Sequence, residues 1–155
     1  NYRAMLWKDE PTAMRAMRSV LPYAGIIKIS EEELPLLTGL HDPEEASAAL
    51  LAAGVSCVLV TLGGKGALVR TRDGCIRSAC PDVRVVDTTG AGDSFMGGFL
   101  YSLCAHNQTP ADLTLADAQA YADFSNLVAT LCVTKRGAIS AMPSMQEVLQ
   151  LQQTL

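Results

Sequence analysis

The sequence predicts an α/β protein with a mainly parallel sheet covered by helices on both faces. Three observations carry that prediction. Short apolar, β-branched runs alternate along the 155 residues with stretches of helical periodicity. The polar and glycine-rich segments fall just after the strand-like runs, where open α/β sheets gather their ligands. Apolar residues make up 49% of the chain, enough for one domain with a sizeable core.

Each element has a local reason. Asp9-Glu10-Pro11 opens a helix, with an N-capping carboxylate and a proline in the first turn, and Met14, Met17 and Leu21 give it a buried face. Residues 25–29 read as a buried strand. Asp42-Pro43 starts a second helix that stops at Gly54, and 55–62 is a strongly apolar strand ending in the tight turn Gly63-Gly64-Lys65-Gly66. Arg72-Asp73-Gly74 makes a hairpin between 67–70 and 75–79, because Asp-Gly tolerates the positive φ of such turns. Val83-Arg84-Val85-Val86 reads as a short strand leading into a loop and then a helix over 93–106, on which Phe95, Phe99 and Leu103 recur at helical spacing. Further helices are expected over 115–132 and from Ser144.

The loop Asp87-Thr88-Thr89-Gly90-Ala91-Gly92-Asp93 is the most informative stretch. Gly90, Ala91 and Gly92 let the backbone turn tightly and present successive N–H groups at a helix N-terminus, which favours a phosphate or a developing negative charge. A carboxylate there repels a resting phosphate, so the chemistry that suits Asp93 is to orient a hydroxyl and take its proton as it attacks. The structural alternative is that Asp93 simply caps a helix. That leaves the two glycines and the second carboxylate, Asp87, unexplained. The loop fits neither common phosphate template: Phe95 stands where a dinucleotide fingerprint needs its third glycine, and no Gly-Lys-Ser/Thr follows.

With these residues in view, the chain resembles the ribokinase-like (PfkB-type) carbohydrate kinases. Asp87 to Asp93 is similar to their C-terminal signature. Asn1-Tyr2-Arg3-Ala4-Met5-Leu6-Trp7 resembles the Asn-x-Arg-x-x-Leu-Trp of fructokinase-like members, and Ser30-Glu31-Glu32-Glu33 resembles the Asn-x-x-Glu segment, with Ser30 in place of the usual Asn. Thr61-Leu62-Gly63-Gly64-Lys65-Gly66 resembles the nucleotide-side strand and turn, and 133–143 the last loop and the approach to the C-terminal helix. The match spans nearly the whole chain and is nearest to fructokinases. It implies a three-layer α/β/α sandwich of which these residues are the C-terminal part of a single domain, since members are much longer and carry sugar-binding residues and a β-rich lid in their N-terminal half.

The resemblance also implies roles. ATP and magnesium are expected, with Asp93 as base on the sugar hydroxyl, the Gly90, Ala91 and Gly92 amides on the transferring phosphoryl, and Arg3 toward a substrate carboxylate or the nucleotide phosphates. Thr61, Gly63 and Gly66 fall near phosphates and ribose, and Asn126 beside adenine. Glu33 acts on magnesium through water, consistent with that ion's reluctance to dehydrate. Members that bind potassium use the positions of Asp87 and Thr89 with mainly backbone oxygens around Cys132, Lys135, Gly137 and Ala141. Three of these positions have structural alternatives: a capping box for Ser30 and Glu33, an interhelical hydrogen bond for Asn126, and an ordinary turn for Gly63 to Gly66.

Fructose is the leading substrate, with ribose, 2-keto-3-deoxygluconate, aminoimidazole riboside and nucleosides open. A homodimer is expected of the full-length protein, and little activity of these residues alone. The cysteines at 57, 75, 80, 104 and 132 form no Cys-x-x-Cys and read as buried thiols, while His41 and His106 read as surface residues. There is no twenty-residue apolar run or basic arm, and the net charge is −4 with scattered Lys and Arg, so a cytoplasmic protein with no membrane or nucleic-acid partner is expected. Two other classes fit parts of the pattern. A dinucleotide-dependent dehydrogenase needs an acidic residue on a strand end about twenty positions after the glycines, where 108–112 is a polar loop. A non-catalytic nucleotide-binding or regulatory module leaves the retention of Asp93 unexplained.

Overall fold

The computed structural model describes residues 2–154, so the Asn1 of the first motif lies outside the described residues. The helices and strands, in chain order, are α1 (Glu10–Ser19), β1 (Ile26–Ser30), α2 (Leu34–Thr38), α3 (Pro43–Ala52), β2 (Cys57–Thr61), β3 (Ala67–Thr71), β4 (Gly74–Ser78), α4 (Ala91–Ala105), α5 (Leu115–Val133) and α6 (Met145–Thr154). Short side chains start several helices. Asp9 accepts from Thr12 N–H at 2.8 Å, and Asp42 Oδ1 accepts from both Glu44 and Glu45 N–H at 2.9 Å.

The sheet has the order β1-β2-β3-β4, and among the described residues it is mixed rather than mainly parallel. Only β1 and β2 run parallel, joined by a crossover through α2 and α3; β3 is antiparallel to β2 and β4 to β3. The cause is connection length. The turn Gly63–Lys65 and the two-residue hairpin at Arg72-Asp73 are too short to return a strand in the parallel sense.

Strand alternation divides the core in two and makes the three layers. Ile29, Val58, Val60 and Leu68 face α2 and α3, packing with Leu34, Leu37, Ala46 and Leu50. Cys57, Leu59, Ala67 and Val69 face the other way, against Phe95, Phe99, Leu103, Ala118, Tyr121 and Ala122 of α4 and α5. Lys28, two residues from Ile26, points to this second face, so a charge sits in a row of apolar positions. Phe99 and Tyr121 meet edge to face across the two helices, centroids 5.9 Å apart.

Two expectations are corrected. Val83-Arg84-Val85-Val86 forms no strand, and Val85 and Val86 are 55% and 52% exposed. No neighbouring strand offers these residues a ladder; instead the N–H groups of Val86 and Asp87 both donate to Val133 O at the end of α5, at 2.8 and 3.2 Å. The cysteines are not uniformly buried: Cys57 and Cys132 are, Cys75 and Cys80 are half-buried, and Cys104 is exposed on α4. Burial pushes the Cys57 thiol up to about 12. Among the described residues no helix is long and apolar enough to cross a membrane.

Candidate active site

Parallel pairing brings the ends of β1 and β2 to one rim, with Ser30 opposite Thr61. A cavity of about 500 Å³ opens there, and it collects six of the residues singled out from the sequence: Thr61, Gly63, Gly66, Ala91, Gly92 and Asn126. Its remaining wall comes from Lys28, Glu31, Glu32, Cys80, Val83, Val85, Thr88, Ala129 and Val133, among others.

The floor is fixed by backbone. Gly66 has φ of +90°, and a Cβ there would stand 2.0 Å from Ser78 O, so no other residue fits between the β2–β3 turn and the exit of β4. Cys80 Sγ lies 3.1 Å from Gly64 O and ties the same turn from outside. Asn126, 3% exposed on α5, donates its amide nitrogen to Ser78 Oγ at 2.6 Å, Ser78 O at 3.1 Å and Ala79 O at 3.3 Å. It is therefore not an interhelical polar contact: its amide clamps α5 to the end of β4 at the cavity wall.

The opposite wall is the N-terminus of α4. Gly90 caps it with φ of +84°, its would-be Cβ 3.0 Å from Ala138 Cβ. Gly90 O accepts the Ser94 N–H at 2.8 Å. Of the amides expected to face an anion, that of Ala91 is spent on Thr88 O at 3.2 Å. Gly92 N–H finds no acceptor among the described residues, as befits the unfilled first turn of a helix. Asp93 is exposed in that same turn, immediately after two residues that line the cavity.

The residues expected of a potassium site meet around the loop before α4, and none of them is in the cavity lining. Asp87 Oδ1 accepts Thr89 N–H and its Oδ2 accepts Gly137 N–H, both at 2.9 Å. Those bonds, with help from Arg136, lower the Asp87 carboxyl from 3.8 to about 2. Cys132 Sγ is 3.9 Å from Thr89 O, and Ala141 is buried under the loop. The Lys135 ammonium is taken by Glu147 at 2.6 Å, which leaves only its backbone to face the cluster. Among the described residues no group of three or more His, Cys, Asp or Glu is placed to hold a metal ion.

Glu33 does the capping job and a second one. Its Oε2 accepts from Ser30 N–H and Oγ, both at 3.1 Å, while Oε1 accepts Tyr2 N–H at 2.8 Å and so pins the first motif to the end of β1. Burial pushes the Glu33 carboxyl up, but the Tyr2 and Ser30 bonds and the nearby Lys28 charge outweigh it and leave the group below the usual range. Arg3 is exposed, its guanidinium 3.2 Å from Tyr2 O, and does not line the cavity. Reasoning from sequence missed Lys28, Cys80 and the apolar wall at Val83 and Val85. Lys28 had a signal, a lone cation in an otherwise apolar strand; the wall had none.

This geometry has relatives. A family model described as pfkB family carbohydrate kinase matches residues 1–145. Probable fructokinase-7 of Arabidopsis thaliana is 37% identical over 97% of this chain and 44% of its own length. Aminoimidazole riboside kinase of Salmonella typhimurium is 35% identical over 92% of the chain and 44% of its own length. Among solved structures, fructokinase with bound ATP from Xylella fastidiosa has a TM-score of 0.89 at 30% identity, over 99% of this chain and 50% of that one. The chain thus spans about half the length of the relatives it matches.

Proposed function

Because the chain belongs to the pfkB family of carbohydrate kinases, we propose that it carries the nucleotide side and catalytic loop of an ATP-dependent sugar kinase. These residues are then the C-terminal part of a single kinase domain. The observation that carries the reading is that the exposed Asp93 directly follows, in the first turn of α4, Gly92, which lines the cavity and has an open amide.

The steps follow from that pairing. Asp93 orients the sugar hydroxyl and accepts its proton as the oxygen attacks the γ-phosphorus of ATP in line. Gly92 N–H and the positive end of α4 stabilise charge on the transferring group. Thr61, Gly63 and Gly66 border the phosphates and ribose, and Val83, Val85, Ala129 and Val133 give the base an apolar slot next to Asn126. No covalent enzyme intermediate is required.

The donor set fits magnesium, which prefers oxygen ligands and keeps much of its water: the Glu31 and Glu32 carboxylates line the cavity, and Glu33, whose oxygens are already engaged, reaches an ion only through water. Magnesium, if bound there, would supply positive charge against that of the nucleotide phosphates. The Asp87 and Thr89 cluster, with carbonyls near Gly137, suits a monovalent cation that braces the loop.

Fructose is the proposed acceptor, supported by the fructokinase relatives; a second reading, a riboside, is favoured by the aminoimidazole riboside kinase match. The test is ADP release by the full-length protein offered ATP with fructose, aminoimidazole riboside or ribose. Sugar-dependent turnover is expected, fastest with fructose. Absence of turnover with every sugar, alongside absence of ATP binding by calorimetry, ends the proposal.

A further inference from the structure

We infer that Ser78 and Asp123 position the Asn126 amide so that only its oxygen faces the cavity, and that this fixed acceptor makes the site prefer a base carrying an exocyclic amine. The inference rests on the kinase reading above and extends it to two residues outside the cavity lining.

Three acceptors surround the amide nitrogen. Asn126 Nδ2 meets Ser78 Oγ at 2.6 Å, Ser78 O at 3.1 Å and Ala79 O at 3.3 Å. Two of these are backbone oxygens, which only accept. The third is a hydroxyl, which both donates and accepts. Its proton is committed elsewhere: Ser78, 1% exposed at the end of β4, donates from Oγ to Asp123 Oδ1 at 2.6 Å, and an ionised carboxylate accepts only. Gln119 Nε2, one turn earlier on α5, donates to the same oxygen at 2.7 Å and holds it in place. Toward Asn126 the hydroxyl therefore has only a lone pair to offer.

The consequence falls on the other end of the amide. Asn126 Oδ1 has no donor among the described residues, none of their buried side-chain oxygens lacks a partner, and Asn126 lines the cavity. The oxygen is thus the atom left open. An acceptor held there suits the amine at position 6 of adenine and opposes the oxygen that hypoxanthine or guanine carries at that position. Without Asp123 the Ser78 proton is released, and the hydroxyl becomes the one group on that side able to donate to a turned Asn126 oxygen. The amide then has a second orientation, with Nδ2 toward the cavity, and the preference falls. Ser78 and Asp123 act through Asn126, without touching the nucleotide.

The test uses the full-length protein with magnesium present and calorimetric Kd values for ADP and IDP, which differ at position 6 of the base. Wild type is expected to bind ADP at least about tenfold more tightly than IDP. Asp123→Ala is expected to shrink that ratio by at least about threefold. Asp123→Asn keeps an acceptor for the Ser78 proton and is expected to hold the ratio at its wild-type value. The double variant Asp123→Ala with Ser78→Ala removes the freed hydroxyl and leaves the two carbonyls to hold Nδ2. It is expected to restore the ratio to within about twofold of wild type, a recovery that a loss of packing does not produce. Asp123→Lys, which has no acceptor, carries the same expectations and stands in if the alanine variant does not fold. A wild type that binds both nucleotides alike, an Asp123→Ala ratio equal to wild type, or a double variant as indiscriminate as Asp123→Ala alone overturns the inference and leaves the kinase reading intact. Failure of the wild type to bind either nucleotide overturns both.

Discussion

Asp93 and Asp87 sit six residues apart at the two ends of one loop, and their surroundings give them different work. Asp93 is exposed beside an open amide, whereas Asp87 spends both oxygens on backbone N–H groups. Asp93→Ala in the full-length protein is expected to lower kcat at least about a hundredfold, the lower range for a positioned base, with ATP affinity by calorimetry nearly unchanged. Asp87 belongs to acid stability. Its folded pKa is depressed from 3.8 to about 2, and that of Glu147 from 4.5 to about 2, in the latter case chiefly by the Lys135 hydrogen bond. A depressed pKa contributes stability that is fully present above the unfolded value and is lost as pH falls toward the folded one. Thermal melts are therefore expected to fall steeply from about pH 4.5 to about pH 2, with Asp87→Asn less stable at neutral pH and flatter through that window. A parallel pH profile for the two proteins counts against the assignment.

At the scale of elements, capping and turn chemistry made the fold legible. Asp9, Asp42 and the Ser30–Glu33 box were readable as helix starts, and Asp73-Gly74 as a hairpin, because each acts through its own neighbours in sequence. Asp42→Ala removes the acceptor of two N–H groups and is expected to cost about 1 kcal/mol, seen as a lower urea midpoint at unchanged m-value. The failed element is equally instructive. Val83 to Val86 has the composition of a strand, yet composition does not provide a partner, and the segment is held instead by Val133 from across the molecule. The four-stranded sheet is mixed for a related reason: two short connections together outweigh the one long crossover.

Across the whole molecule, the cavity was legible only in parts. Thr61, Gly63, Gly66, Gly92 and Asn126 were found by motif, but the ammonium of Lys28 at Gly92 and the clamp from Asn126 to Ser78 depend on how layers meet, which no local pattern encodes. Among the described residues β1 also has one side of its backbone unpaired, since β2 is its sole neighbour. Residues 1–155 expressed alone are therefore expected to self-associate through that edge, seen as a rising light-scattering mass with concentration, and to show no sugar-dependent ADP release. A monodisperse monomer with full turnover contradicts both expectations.

The bond from Asp87 to Gly137 spans 50 residues. During vectorial synthesis on the ribosome the start of α4 emerges well before the segment that anchors it, so this turn acquires its final shape only after Gly137 has been made. A chain halted just short of Gly137 already has β1 to β4 and both long helices, yet it lacks the peg that holds the start of α4 in place.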